Sequence, residues 1–368
     1  MASPLSVLIL LGAFAVAWLV LLTRLDTHRH TKRSAGTPAL FFILGLLSLP
    51  LTRFLYSIAV LDPGATGGGI ALLWKQILVV GLTEELAKFL IFAVAASLLR
   101  SIKEPRDGMI QAAAVALAFA TGENYGYAAL GGLPLLLFRS VITAAGHMVY
   151  AAIWGYHFSL VYFGISSSPR AGGGASETAP ASGRRYDYRP ILLSLAAVML
   201  LHGLFNYFAI IGLEGLSYLL DVIGLAAAVV FLSRTAELSP FFRYPLREYR
   251  TAIPRLRRAL SVQPDSYVLH RRIALYYLYA ANDDSRAIRY AQRHFRSCSR
   301  LAPRQSFPQV FHAICRIYDG NSEEGYARLR ELRDKLSREH RQRLERHVRR
   351  LLRESSERQA VIEALRGG

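Results

Sequence analysis

Long apolar runs fill the first 233 residues of the chain, and their lengths predict membrane-spanning helices. Crossing a hydrocarbon core about 30 Å thick takes about 20 residues of α-helix. Seven runs have about that length or more: Pro4–Thr23, Ala39–Leu61, Ile70–Leu99, Gly108–Leu130, Leu135–Gly164, Pro190–Ile211 and Leu216–Ser233. The pattern therefore predicts an all-α fold whose first part, residues 1–233, is a polytopic bundle of about seven transmembrane helices.

Amphipathic helical periodicity replaces the apolar runs after residue 233. Ala252, Leu256, Ala259 and Pro264 have the spacing that ends a tetratricopeptide-type repeat, and further helix pairs follow with turn signals between them. Residues 234–335 are therefore expected to form a helical-repeat-like domain, whose expected use is to bind a peptide or protein partner.

The pattern of the last segment, residues 336–368, predicts one Arg-rich amphipathic helix followed by a short tail. Leu344, Val348, Leu351 and Leu352 form its apolar stripe.

Charge divides the chain in the same place as hydropathy. The whole chain carries a formal net charge of +18, of which residues 234–368 contribute +14, from 29 Lys/Arg and 15 Asp/Glu. No zinc-finger, RRM or helix-turn-helix pattern accompanies the arginines, so no nucleic-acid partner is expected. Attraction to anionic lipid headgroups accounts for the charge more simply.

The basic residues between the apolar runs predict an orientation. Connections 24–38, 100–107 and 165–189 hold four, three and four Lys/Arg, whereas the alternating connections 62–69 and 212–215 hold none. By the positive-inside rule, the N-terminus is expected outside the cell membrane and the C-terminal domain in the cytoplasm. Segment 165–189 contains a Gly/Ser/Ala/Pro-rich stretch and is expected to be a flexible linker.

Ionisable and polar residues inside the apolar runs are the candidates for chemistry, because such residues are costly within a bilayer. They fall at similar depth in four different runs. The candidates are Glu84, Glu85, Lys88, Glu123, His147, His202 and Asn206. A shared site is the simplest explanation of their common depth.

Helical spacing groups these candidates further. Glu84 and Lys88 are four residues apart and can pair on one helix face. Glu85 points about 100° away from Glu84, so the two carboxylates need not have the same role. His202 and Asn206 are also four residues apart and share a direction.

Several motifs in this region resemble those of one family. Glu84 to Lys88 match Glu-Glu-x-x-Lys, Phe119 to Asn124 match Phe-x-x-x-Glu-Asn, and His202 to Asn206 match His-x-x-x-Asn. Residues 104–108, Glu-Pro-Arg-Asp-Gly, also fit. Together the motifs, which cover residues 70–232, resemble the PrsW family of membrane-embedded proteases, related to the CAAX-prenyl endopeptidases.

The resemblance implies an endopeptidase that cleaves a membrane-associated protein substrate. Glu85 or Glu84 would act as the base that activates water, and Lys88 would keep one of the pair ionised. Two mechanisms stay open at this point. Glu123, His147 and His202 would hold a zinc ion, or the histidines and Asn206 would bind water and oxyanion directly without metal.

Two other classes of function fit part of the pattern. Buried carboxylates and histidines also form proton relays in ion-coupled transporters, although no internal repeat of the transporter kind is found. A non-catalytic membrane scaffold with a cytoplasmic adaptor domain is the third alternative, in which Glu84 and Lys88 would be a structural ion pair.

Overall fold

The computed structural model of the chain describes residues 3–25, 36–58, 69–163, 187–239, 241–242 and 244–367. Every regular element within these ranges is helical, as the apolar and amphipathic patterns predict. The chain divides into two compact units, Met1–Phe241 and Phe242–Gly368. The predicted linker lies almost wholly outside the described residues, as do connections 26–35 and 59–68.

The first unit contains nine α-helices within the described residues. They are α1 (Pro4–Leu25), α2 (Gly36–Gly45), α3 (Ser48–Ile58), α4 (Gly69–Trp74), α5 (Leu82–Leu99), α6 (Pro105–Phe138), α7 (Ala144–Tyr162), α8 (Arg189–Ile210) and α9 (Glu214–Leu238). Two π-helical segments, Lys75–Gly81 and Arg139–Thr143, join α4 to α5 and α6 to α7.

Five helical stretches in the described part of the chain are long and apolar enough to cross a membrane. They are Pro4–Leu25, Gly36–Ser57, Gly132–Tyr162, Arg189–Ile210 and Glu214–Leu238. The predicted runs 70–99 and 108–130 are helical but are not among the five, so the count of seven spans is not confirmed. Both runs contain polar candidate residues, and these lower the apolar content on which such a count depends.

The run at 70–99 is not one regular helix. Its middle, Lys75–Gly81, is a π-helix, an irregularity that is rare and often found at functional sites. The helix α6 also has an irregular point, since Gly132 adopts a positive φ of 64° within it.

The motif at residues 104–108 begins α6. The Asp107 carboxylate accepts hydrogen bonds from the backbone N–H groups of Lys103 (2.6 Å) and Glu104 (2.8 Å), which precede the helix. Pro105 occupies the first turn, where its missing N–H is not needed. These residues fix where α6 starts and therefore the height of Glu123 along it.

Aromatic packing holds α5 against α7. The Trp154 indole of α7 lies 5.2 Å from the Phe92 ring and 5.5 Å from the Phe89 ring, both on α5. Trp154 and Phe92 are fully buried. This contact brings α7 alongside the Glu-Glu-x-x-Lys segment, which lies at the start of α5.

The second unit contains α10 (Tyr249–Val262), α11 (Tyr267–Ala280), α12 (Ala287–Leu301), α13 (Ser306–Tyr318), α14 (Ser322–Asp334), α15 (Arg338–Leu351) and α16 (Ser356–Arg366). From α10 to α14 each helix packs on the next along the chain. Ala252, Leu256 and Ala259 are buried, as the repeat-like spacing expects. The type of repeat and its cytoplasmic location stay predictions.

The C-terminal basic segment forms two helices where one was expected. The backbone is extended at Leu352, after α15, and the Ser355 hydroxyl then accepts a hydrogen bond from the Arg358 N–H to cap α16. Ser, as a helix N-cap, satisfies donors that the first turn leaves free. Leu344 and Val348 of the expected apolar stripe are buried.

Candidate active site

Five of the seven polar candidates line one cavity of about 470 Å³ in the first unit, namely Glu84, Glu123, His147, His202 and Asn206. Residues from α3, α5, α6, α7, α8 and α9 and from both π-helical segments line it. Its polar lining consists of Tyr56, Gln76, Glu84, Glu123, Tyr127, Arg139, Thr143, His147, Tyr150, His202, Asn206 and Asp221. The expectation that residues of similar depth form one site agrees with this geometry.

Glu85 lies behind the cavity wall and is completely buried. Its Oε1 accepts hydrogen bonds from Lys88 Nζ at 2.5 Å and from His202 Nδ1 at 2.9 Å, and its Oε2 accepts one from Trp154 Nε1 at 3.1 Å. A carboxylate bound by a cation and two N–H donors holds its neighbours in place. Glu85 therefore positions Lys88 and His202.

Lys88 pairs with Glu85, three residues before it, and Glu84, which the spacing also allows as a partner, is not the one it pairs with in the described structure. Spacings of three and four residues both place side chains on the same helix face, and packing decides between them. Here the indole of Trp154 fixes Glu85 on the buried side, within reach of the ammonium. The Phe119 ring lies under Lys88 Nζ, 4.6 Å from it, which gives the first residue of the Phe-x-x-x-Glu-Asn motif a role.

Glu84 borders the cavity and has few partners. Its Oε1 accepts a hydrogen bond from the Tyr56 hydroxyl at 3.4 Å. Its Oε2 lies 3.6 Å from His202 Nε2 and has no hydrogen-bond partner among the described residues. A buried carboxylate oxygen without a partner can accept a hydrogen bond from a bound molecule or bind a cation.

His202 lies between the two carboxylates. Because Nδ1 contacts Glu85, the tautomer that fits carries its proton there and leaves Nε2 facing Glu84. The orientation of one imidazole nitrogen by a buried carboxylate is typical of histidines that bind metals or move protons with the other nitrogen. Asn206, one turn further along α8, also lines the cavity.

His147 is held from both sides. Lys88 Nζ lies 3.1 Å from Nδ1, and Glu123 Oε2 lies 3.2 Å from Nε2. Since an ammonium group only donates, this arrangement makes Nδ1 the acceptor and places the ring proton on Nε2, directed at Glu123. The His147 and His202 rings are 5.1 Å apart and perpendicular.

Arg139 and Asn124 support Glu123 from the other side. Arg139 Nη2 lies 3.1 Å from Glu123 Oε2, and its Nε donates to the Asn124 side-chain oxygen at 2.9 Å. The guanidinium group also stacks on Tyr127, 3.7 Å from the ring centre. Asn124, which follows Glu123 in the motif, therefore orients the Arg139 guanidinium, and this guanidinium in turn holds Glu123 in place.

Close backbone contact sets the distance between His202 and the glutamates. A Cβ atom on Gly203 would lie 2.5 Å from Ile77 Cα and 2.7 Å from the Gln76 carbonyl oxygen. Only glycine allows α8 to approach the π-helical segment Lys75–Gly81 this closely. The second π-helical segment, Arg139–Thr143, ends four residues before His147.

A metal ion would find a suitable set of ligands here. Glu84, His147 and His202 each offer one ligand atom, and these atoms lie within 4.8 Å of one another. Two His and one Glu form a known catalytic zinc set, and Glu84 Oε2, which has no hydrogen-bond partner among the described residues, would be free to bind the ion. The predicted set had Glu123 where this group has Glu84, while Glu123 is paired with His147 and Arg139.

Several residues of the site were not expected from the sequence. Asp221 is a carboxylate in the last apolar run, and the rule that found the other candidates applies equally to it. Arg139 lies in the run Leu135–Gly164, and it pairs with Glu123. Trp154 and Tyr150 carried no signal, because aromatic residues are common in apolar helices. His157 bonds to the Ile153 carbonyl oxygen and lies outside this cavity.

Comparison with known proteins decides the family. The sequence profile described as PrsW family intramembrane metalloprotease matches residues 33–233, more than half of the chain. The chain belongs to the PrsW family. It is accordingly a multi-pass membrane protein, and the profile ends close to the end of α9.

Proteins named Protease PrsW are among the relatives. The one from Shouchella clausii (strain KSM-K16) is 27% identical over 135 residues, which are 36% of this chain and 53% of that protein. The one from Clostridioides difficile (strain 630) is 27% identical over 209 residues, 55% of this chain and 80% of that protein. The chain thus spans about half the length of the first of these relatives. No solved structure matches the chain.

Proposed function

We propose that the protein is a membrane-embedded endopeptidase that hydrolyses a peptide bond of a membrane-associated protein. The observation that carries the proposal is Glu84, a carboxylate that borders the cavity and whose Oε2, 3.6 Å from His202 Nε2, has no hydrogen-bond partner among the residues that the structure describes. Family membership and the name of the relatives support peptidase chemistry.

The two neighbouring glutamates have different roles in this proposal. Glu84 takes the proton from a water molecule in the cavity, because it is the glutamate of the motif that lines this space. Glu85 remains ionised against Lys88 and holds His202 through Nδ1. His147, held by Lys88 and Glu123, donates or accepts protons at Nε2 on the opposite side of the space.

Metal assistance would use residues that the site already contains. Glu84, His147 and His202 would hold the ion. A bound zinc ion supplies Lewis acidity that polarises the carbonyl group of the substrate and lowers the pKa of a bound water molecule. Glu123 would remain a cavity-lining carboxylate, and His147 would give up its contact with either Glu123 or Lys88 to hold the ion, because both of its ring nitrogens have partners.

The test of activity uses variants in proteoliposomes with single-pass membrane proteins as substrates. Glu84→Gln is expected to abolish cleavage while the protein keeps its thermal stability, since Glu84 has only two long contacts among the described residues, with Tyr56 and His202. Glu85→Gln and His202→Ala should lose both activity and stability. His157→Ala, outside the cavity, is the matched histidine control. Cleavage that continues in Glu84→Gln would remove the proposed base.

Metal content separates the two mechanisms and the two ligand sets. Purified protein is analysed for bound zinc as the wild type and as the Glu84→Ala, Glu123→Ala and His147→Ala variants. Loss of zinc in Glu84→Ala, with retention in Glu123→Ala, supports the group found in the structure. The opposite result supports the set expected from the sequence, and active protein without metal supports direct glutamate catalysis.

The second unit has a proposed supporting role. Its basic helices suit the anionic headgroups of the cytoplasmic leaflet, and its array of packed helices suits a cytoplasmic segment of the substrate or another protein partner. Deletion of residues 242–368 should then slow cleavage of full-length substrate without preventing membrane insertion. Unchanged processing would contradict this role.

A further inference from the structure

A second, apolar groove of about 340 Å³ lies beside the cavity in the first unit. It runs between α7, with the π-helical segment before it, and one face of α9. Ile142 and Val149 line one side, and Val222 and Leu225 line the other. Val222 and Leu225 are 60% and 52% exposed, so this groove opens on the lipid-facing surface of the helices.

Two residues border both the groove and the cavity, namely Gly146 of α7 and Asp221 of α9. A Cβ atom on Gly146 would lie 2.8 Å from Asp221 Oδ1 and 3.1 Å from Oδ2. The absence of a side chain on Gly146 therefore lets the carboxylate reach α7. Asp221 is the only charged residue among the described residues that line the groove, and it lies at the inner end.

The Asp221 carboxylate is only half satisfied. Its Oδ1 accepts a hydrogen bond from the Tyr150 hydroxyl at 2.8 Å. Its Oδ2 is buried and has no hydrogen-bond partner among the described residues. An unpaired carboxylate oxygen in apolar surroundings is costly, and a bound molecule that donates a hydrogen bond would remove the cost.

A membrane-embedded peptide supplies such donors. A helix that is opened for cleavage exposes backbone N–H groups, and the bilayer contains no water to satisfy them. Asp221 lies where an apolar segment that leaves the groove would enter the cavity. The rest of the groove offers mainly apolar contact, which suits leucine-like and valine-like side chains.

We propose that this groove holds an apolar, membrane-embedded segment of the protein substrate, and that Asp221 accepts a hydrogen bond from a backbone N–H of that segment where it enters the cavity. The inference rests on the proposed peptidase function. It makes Asp221 a substrate-binding residue, outside the set of residues that perform the chemistry.

Disulfide cross-linking tests groove occupancy without requiring cleavage. The full chain carries Glu84→Gln to prevent cutting, and a cysteine is introduced as Leu225→Cys. The probe is a leucine–alanine peptide of about 20 residues, long enough to span the bilayer. Its centre has a cysteine and a Pro-Gly interruption, which leaves the first N–H groups of the following helix unpaired. Protein and probe are mixed in phosphatidylcholine vesicles, and a mild oxidant is added that accepts the two electrons released when the disulfide forms.

The matched control is Ile223→Cys, because Ile223 lies on the same helix, is 48% exposed and does not line the groove. We expect a several-fold higher cross-linking yield for Leu225→Cys. Equal yields for the two positions would overturn the proposal and would indicate that lipid chains fill the groove. A wild-type protein that cleaves nothing would contradict the proposed function and leave this result unaffected.

Two further substitutions isolate the hydrogen bond. Asp221→Asn can keep the contact with Tyr150 while an NH₂ group replaces Oδ2. It should reduce probe affinity roughly tenfold, the loss expected for one hydrogen bond to a charged group. Tyr150→Phe removes only the Tyr150–Asp221 bond. If Tyr150→Phe lowers the yield and Asp221→Asn does not, Asp221 acts only through Tyr150 and the proposal is wrong.

Discussion

Substitution of Gly203 by alanine should move His202 away from Glu84 and Glu85. The added Cβ would lie 2.5 Å from Ile77 Cα, whereas ordinary van der Waals contact begins at 3.4 Å, so a backbone must move by about 0.9 Å. The obstructing atoms belong to the backbone, so no side-chain rotation can relieve the contact. Overpacking of this kind costs about 1–3 kcal/mol of stability.

The displacement acts on the chemistry through His202, the neighbour of Gly203. Moving α8 away from the π-helical segment Lys75–Gly81 carries the imidazole away from Glu84 and Glu85. A displacement of about 1 Å at a reacting group can cost about a hundredfold in rate. We therefore expect Gly203→Ala to lose about two orders of magnitude in kcat/KM and to unfold at a lower temperature in detergent.

Matched glycine variants make this experiment decisive. A Cβ atom added to Gly12 of α1 or to Gly126 of α6 would have no atom within 4 Å, so alanine is expected to be harmless at both positions. Cleavage rates and thermal unfolding are measured for all three variants. If Gly203→Ala matches Gly12→Ala in both measurements, the close contact does not set the geometry of the site.

Two further predictions concern buried charge. Lys88→Met leaves the Glu85 carboxylate without its cation, which should cost about 3–5 kcal/mol; thermal unfolding in detergent checks this, and unchanged stability would contradict the role of the pair. In the second unit, burial and the neighbouring His270 lower the pKa of His294 to about 4. The folded state therefore resists protonation of His294. The free energy of unfolding of the second unit is then highest above pH 6.5 and falls by roughly 2–3 kcal/mol as the pH drops towards 4. Thiol labelling of buried Cys298, corrected for intrinsic reactivity at each pH, should accelerate over this range, and His294→Gln should remove most of the acceleration.

The sequence was enough to predict that five ionisable residues of the site meet, although it did not lead to Asp221, Tyr150 or Trp154. The ionisable residues in the apolar runs are Glu84, Glu85, Glu123, His147 and His202. Such residues are costly within a bilayer, so their presence at similar depth indicates a shared site. The same reasoning covers Asp221, which completes the lining of the cavity. Depth within a helix can be counted along the chain, so this part of the site was predictable.

The roles within the site were not predictable in the same way. Which glutamate faces the cavity depends on packing against Trp154, whose indole binds Glu85 from a helix distant in sequence. The pairing of Lys88 depends on the same contact. Helical spacing allows two partners for one lysine, and only tertiary contacts choose between them.

The fold shows a similar division. Run lengths predicted helices correctly, because a long apolar segment has few other ways to satisfy its backbone. The π-helical segments at Lys75–Gly81 and Arg139–Thr143 could not be predicted, since the apolar pattern does not distinguish them from α-helix. The break between α15 and α16 carried a signal in Ser355, a favourable N-cap residue.

The balance of charge in the cavity and its wall has a consequence for what the site must contain. Among the described residues of the cavity and its wall, with neutral histidines and ionised acids, four carboxylates (Glu84, Glu85, Glu123 and Asp221) face two cations (Lys88 and Arg139), an excess of two negative charges. An unbalanced charge is expensive in a medium of low dielectric constant. Two protons or one divalent cation would restore electroneutrality, and the protons and the cation would compete for the same carboxylates. Loading the site with a divalent ion should therefore release about two protons, a stoichiometry that calorimetry in buffers of different ionisation enthalpy measures directly.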